Sequence, residues 1–203
     1  MNKTIIVCLA AAVAVLTLCV TVWRMLLKKR NAERSTFDAN DSTPLLIDRC
    51  IQNYVMNPTF KAHSKNEAIE KLVEIVAARF PGQVHNVAEV KRAVFAREQS
   101  MPTGLDNGIA VPHGRSKCVN GIVGAIALVD NTENENGIIP DYEMIDHSKL
   151  QIIILTLVPE SVREPYAQVM AFINRTLRND ESREKLLECK TQEEMREFFN
   201  SAC

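Results

Sequence analysis

Three short apolar runs, residues 109–111, 122–129 and 150–158, are rich in β-branched side chains and are bracketed by turn residues. Largely apolar runs of this length describe strands covered on both faces, because a strand open to water on one side would alternate polar and apolar positions. What could cover them lies on either side in the sequence. Ser64 and Glu67 form a capping-box pair ahead of Ala68, Leu72, Ile75, Val76 and Phe80, a helical repeat that Pro81 and Gly82 end. A second helix is expected from Asn86, with Glu89 at its third position and Val90, Val94 and Phe95 inward, breaking at 100–102. After Pro159, Pro165 suits a first helical position, and Ala167, Met170, Ile173 and Leu177 recur at helical spacing. Thr191 and Glu194 cap a last short helix carrying Met195, Phe198 and Phe199. Helices before and after buried strands predict an α/β fold, with a mixed, mostly parallel sheet flanked by helices. Polar connections are expected at 131–137 and 146–149. Residues 45–55 are apolar enough to enter the fold, as a first strand or as a short helix with a loop.

A different solvent is implied at the amino terminus. No charge occurs from Thr4 to Trp23. A helix of about twenty residues at about 1.5 Å each spans about 30 Å, the thickness of a hydrocarbon core. A cleaved signal peptide is the rival reading, but Arg24, Lys28, Lys29 and Arg30 stand where a small-residue cleavage site would belong. Residues 1–30 are therefore expected to form a transmembrane anchor with a basic flank. The positive-inside rule then places the rest of the chain in the cytoplasm, on the inner membrane, with the lipid bilayer as a partner of the N-terminal helix. Residues 31–44 are polar and turn-prone and read as a linker, leaving 45–203 as one domain.

Bulk charge narrows the function. Twenty-four basic residues face 25 acidic ones, so no net field points to nucleic acid. The six cysteines include no Cys-x-x-Cys pair, which argues against a zinc site, and they read as reduced thiols.

The informative stretch is 97–114. It leaves a helix, crosses a glycine-containing loop and delivers His113 at the end of a short strand, between Pro112 and Gly114. Strand ends flanked by Gly and Pro present a side chain rigidly while loop N–H groups stay available for an anion. A neutral imidazole keeps one nucleophilic nitrogen near pH 7 while the other is fixed by a hydrogen bond, which suits phosphoryl acceptance. Taken alone, a single histidine is more often structural, and the same holds for His63, His85 and His147.

Arg97-Glu98, Thr103-Gly104 and the Gly-x-Ala-x-Pro-His-Gly stretch at 108–114 together resemble the enzyme IIA domain of the fructose and mannitol branch of the bacterial sugar phosphotransferase system. Residues 150–159 look like that family's central strand with its terminal proline, and 177–190 and 191–199 like its two closing helices. The resemblance covers roughly residues 45–199. It implies a phosphotransferase in which His113 is the catalytic phosphoryl acceptor, through Nε2, with Arg97 in the same pocket. Thr103 would either donate its hydroxyl to a phosphate oxygen or cap the loop. Many members carry a second histidine on the helix after the central strand; the matching position here is Tyr166, which can donate to phosphate or simply pack, but cannot become cationic near pH 7. His147 falls in a turn where the family often has glycine. No metal or organic cofactor is implied. The implied partners are a phospho-HPr-like carrier and an enzyme IIB domain or membrane transporter. Beside the phosphocarrier stands a regulatory or sensory module of the same fold controlling a membrane transporter or other partner, with or without phosphorylation. A plain peptide-binding domain is a third reading. The sugar, if there is one, is not written in the chain.

Overall fold

The structure, a computed structural model, describes residues 51–130, 139, 141–162 and 164–202. The expected anchor at 1–30, the linker at 31–44 and the loop at 131–137 lie outside the described residues. Among the described residues no helix is long and apolar enough to cross a membrane.

The elements run β1 (Tyr54–Phe60), α1 (Lys65–Arg79), α2 (Val87–Ser100), β2 (Ile109–Ala110), β3 (His113–Ser116), β4 (Val123–Val129), β5 (Ile152–Pro159), α3 (Glu164–Arg178), α4 (Asp180–Glu188) and α5 (Gln192–Ser201). One sheet holds all five strands in the order β1-β4-β5-β2, with β3 also paired to β5. The β1–β4, β2–β5 and β3–β5 pairings are parallel and only β4–β5 is antiparallel, so the sheet is mixed and mostly parallel.

Every residue of β5 is buried, as is all of β4 except Val129. That is the physical content of their largely apolar runs. Ala125, Ala127, Ile153, Leu155 and Leu157 share a core with Leu72, Val73 and Val76 of α1 and with Val90 and Val94 of α2. The alternate residues, Ile126, Leu128, Ile152 and Ile154, point to the opposite face by the two-residue period of a strand and are also buried. Val169, Phe172, Ile173, Leu186, Met195 and Phe199 of α3–α5 supply buried apolar surface of their own. Each such side chain contributes about 1.5–3 kcal/mol.

The helix starts match the expected caps. Ser64 Oγ accepts from Glu67 N–H, Asn86 Oδ1 accepts from Glu89 N–H, and Thr191 with Glu194 closes a reciprocal box. One detail differs at α1: the Glu67 carboxylate accepts from His63 N–H, one residue before the cap. Within the expected first element at 45–55, residues 51–55 are described, and only Tyr54 and Val55 among them belong to a strand. That strand continues through Pro58 to Phe60, with a register shift between Asn57 and Phe60. Proline cannot donate to a ladder and is tolerated at an edge strand's irregularity, which is where β1 carries it.

Candidate functional site

His113 opens β3, where it pairs with Thr156 in the middle of β5. Gly114 brings this strand close to α2. A Cβ there would lie 2.6 Å from Val94 Cγ2 and 2.9 Å from Val94 N, so only glycine permits the approach. Arg97 stands three residues beyond Val94 on α2 and so comes to lie beside the His113 ring.

Two partners settle the state of that ring. His113 Nδ1 is 3.0 Å from the Val111 carbonyl, which can only accept, so Nδ1 carries the proton. Arg97 Nε donates to Nε2 at 3.1 Å, so Nε2 presents its lone pair. Burial pushes the imidazole below the usual histidine range; the Val111 hydrogen bond and the Glu98 charge oppose this, and the Arg97 and Arg115 charges add to it. The ring is therefore neutral near pH 7, with its nucleophilic nitrogen toward a guanidinium. Arg97 also donates from Nη1 to the Met101 carbonyl at 2.8 Å, tying it to the end of its own helix.

Tyr166, on the first turn of α3, lies across the ring with centroids 5.5 Å apart and an interplanar angle of 37°. Its phenol is pushed up by burial, with the Arg115 and Arg97 charges pulling the other way. Thr103 lies elsewhere. It is 4% exposed, and its hydroxyl donates to Glu98 Oε2 at 2.6 Å while its N–H donates to Oε1 at 3.1 Å. Of the two expected roles for Thr103, the geometry is that of the loop cap, with the hydroxyl committed inside the protein rather than offered to a phosphate.

Glu98 is itself 3% exposed, with Lys65 Nζ 4.0 Å away. A buried carboxylate is costly unless hydrogen-bonded and paired, and here that requirement fixes the loop. Thr103 returns the constraint, because its carbonyl accepts from Val111 N–H at 3.0 Å. Glu98, Thr103, Val111 and His113 thus form one connected path from α2 to the ring. The loop between them is shaped by Asn107 and Gly108 at φ 58° and 73°, the two left-handed residues of a tight primed turn. Asp146 braces this turn by accepting from Asn107 N–H at 2.8 Å; hydrogen bonds from Ser148, together with that one, hold its carboxyl at about 2. His147 sits at φ 57°, a backbone conformation that glycine takes at no cost and the reason a glycine would suit this turn.

Arg115 is the residue that sequence reasoning missed. It stands two positions after His113 on the same strand and so on the same face. Its guanidinium carbon is 5.3 Å from the Tyr166 ring centroid, and its Nη1 donates to the Val162 carbonyl. The signal was the period of two, hidden because 113–116 carries no apolar run. A cleft of about 380 Å³ opens next to the site between the 105–111 segment and α3, with Val111, Asn107, Asn174 and Arg178 in its walls. His113 does not line it.

Residues 51–202 match the family described as phosphoenolpyruvate-dependent sugar phosphotransferase system, EIIA 2. The chain belongs to this family. EIIA 2 members carry out phosphotransfer, and the relatives of this one are of at least two kinds. A nitrogen regulatory protein of Bradyrhizobium diazoefficiens is 30% identical over 129 residues, covering 64% of this chain and 78% of the relative. A fructose-specific EIIA component of Haloferax volcanii is 27% identical over 136 residues, covering 67% and 82%. Among solved structures, nitrogen regulatory protein IIA-Ntr from Neisseria meningitidis shares the fold with a TM-score of 0.61 at 24% identity, over 76% of this chain and 99% of that one. The EIIA 2 fold is likewise shared with the complex of enzyme IIAMTL and phosphorylated enzyme IIBMTL from Escherichia coli, at TM-score 0.55 and 21% identity, over 72% and 94%.

Proposed function

We propose that the chain is a phosphocarrier in which His113 Nε2 takes a phosphoryl group from a phospho-HPr-like carrier and passes it to an enzyme IIB partner. The observation that carries this reading is the pair of one-sided hydrogen bonds on His113. Nδ1–H is held by Val111, and Nε2 faces Arg97 with its lone pair. In the forward step the donor's P–N bond breaks, its electron pair staying on the donor nitrogen, and the Nε2 lone pair forms the new P–N bond. Nδ1 keeps its proton throughout, so the ring becomes charged only to the extent that the phosphoryl oxygens balance. Arg97 swings from Nε2 to those oxygens, where a guanidinium fork stabilises spread negative charge better than water does. No metal or organic cofactor enters the step.

The membrane tether belongs to the same proposal. An anchor at 1–30 with a polar linker at 31–44 would hold the domain at the cytoplasmic face of the inner membrane and raise its local concentration near a membrane transporter. A second reading, in which the phosphorylation state regulates a membrane partner, is favoured by the 30% identical nitrogen regulatory protein.

Incubating the full chain with phosphorylated carrier protein and locating the added phosphoryl group by peptide mass tests the proposal. Label on His113, absent from His113→Gln, supports it; equal label on both removes it. Onward transfer to an enzyme IIB domain then separates the carrier from the regulator.

A further inference from the structure

A phosphoryl group on Nε2 brings three anionic oxygens, and a single guanidinium fork engages two of them at best. Arg97 approaches His113 from α2. On the strand that bears His113, the next side chain on the same face is Arg115, which is exposed there. Its position is fixed twice: the guanidinium lies over the Tyr166 ring at 5.3 Å, and Nη1 donates to the Val162 carbonyl. The same Tyr166 ring lies 5.5 Å from the His113 ring. Both His113 and Arg115 therefore pack on Tyr166, with Arg97 at the histidine's Nε2.

We propose that Arg115 is the second cation holding the phosphoryl group on His113, and that Tyr166 is the platform that aims it rather than a hydrogen-bond donor to phosphate. This rests on the phosphocarrier reading of His113 and adds a residue to it. A planar guanidinium stacks on an aromatic face while its edge remains directed outward, which a lysine ammonium does not reproduce. Both arginines already act on the ring, since each depresses the His113 pKa.

The test uses the full chain and potassium phosphoramidate, a phosphoryl donor that needs no carrier protein. From the N-protonated reagent, ammonia leaves with the electron pair of the broken P–N bond, and Nε2 forms the new one. Phosphorus NMR and peptide mass track phosphorylation of His113, and proton NMR tracks its titration. Arg115→Met is expected to slow phosphorylation at least about tenfold and to raise the His113 pKa. Arg115→Lys recovers the pKa but only part of the rate. Tyr166→Leu, which removes the ring, slows the reaction more than Tyr166→Phe, which keeps it. Arg115→Met matching the parent in both rate and pKa overturns the proposal. So does Tyr166→Phe losing as much as Tyr166→Leu, or a parent whose His113 takes no phosphoryl group from phosphoramidate. Phosphoramidate labelling in the expected order, with no labelling by phospho-carrier, upholds the Arg115 role and removes the carrier reading alone.

Discussion

Arg97 Nε and His113 Nε2 are 3.1 Å apart, joined by a hydrogen bond that uses the lone pair on the proposed nucleophile. An incoming phosphorus atom and this N–H cannot occupy the same direction. Arg97 must give up the nitrogen before it can serve the phosphate, and its second bond, to the Met101 carbonyl, keeps it within reach while it does so.

Replacing Arg97 should therefore do two opposed things, exposing Nε2 and removing charge from the transition state. Because stabilising spread charge in a partly buried site outweighs uncovering a lone pair, Arg97→Ala is expected to slow His113 phosphorylation about a hundredfold. Tyr166→Phe should cost less. Quenched-flow labelling with phospho-carrier measures both, and equal rates for Arg97→Ala and the parent would remove the clamp.

The pH behaviour stems from the depressed His113 pKa. A group whose folded pKa lies below its unfolded value favours folding in its neutral form. Its contribution is complete above the reference value of 6.5 and is lost as pH falls below that toward the folded value. Labelling should accordingly keep more than half of its alkaline rate at pH 6.5 and reach its midpoint only in more acid solution. A labelling rate that halves at pH 6.5 would show an unshifted imidazole.

Glu98 offers a stability test apart from the chemistry. Glu98→Ala leaves Thr103 N–H and hydroxyl without their Glu98 acceptor and Lys65 without its counter-charge, and should cost about 1–3 kcal/mol. Glu98→Gln, which retains an acceptor, should cost less. Urea unfolding monitored by circular dichroism distinguishes them, and an Ala variant within experimental error of the parent would mean the loop is held by something else.

Gly114→Ala places a methyl group against Val94, forcing β3 away from α2. Overpacking of this kind costs about 1–3 kcal/mol. Because the displaced strand carries His113, the same substitution should separate Nε2 from Arg97 and slow labelling, whereas Gly82→Ala, in open space, should do neither.

How much of this the chain announces in advance varies with the kind of force involved. Burial is plain: β4 and β5 coincide with two of the apolar runs, since a strand covered on both faces has no reason to alternate. The capping residues Ser64, Asn86 and Thr191 are equally legible, because a cap is a local hydrogen bond. β3 is hidden because His-Gly-Arg-Ser holds its place through backbone pairing with β5 and the missing Cβ of Gly114, neither of which leaves an apolar pattern. The extent of β1 is obscured because Pro58 argues against a strand except at an irregular edge. At the site, the closeness of His113 and Arg97 was an implication of family resemblance, not of spacing. Thr103 shows the limit of such carry-over, since the hydroxyl that a loop offers can be claimed by a carboxylate five residues earlier. Arg115 needs the strand to be known before its side can be assigned.

The Val111 carbonyl, whose immediate effect is to orient a ring, also decides what the ring exchanges with its surroundings. With the Nδ1 proton held by a main-chain acceptor, a substituent can arrive at and depart from the other nitrogen without any hydrogen ion changing hands. In the proposed cycle cargo would move and acidity would not, so solvent need never be admitted to complete it.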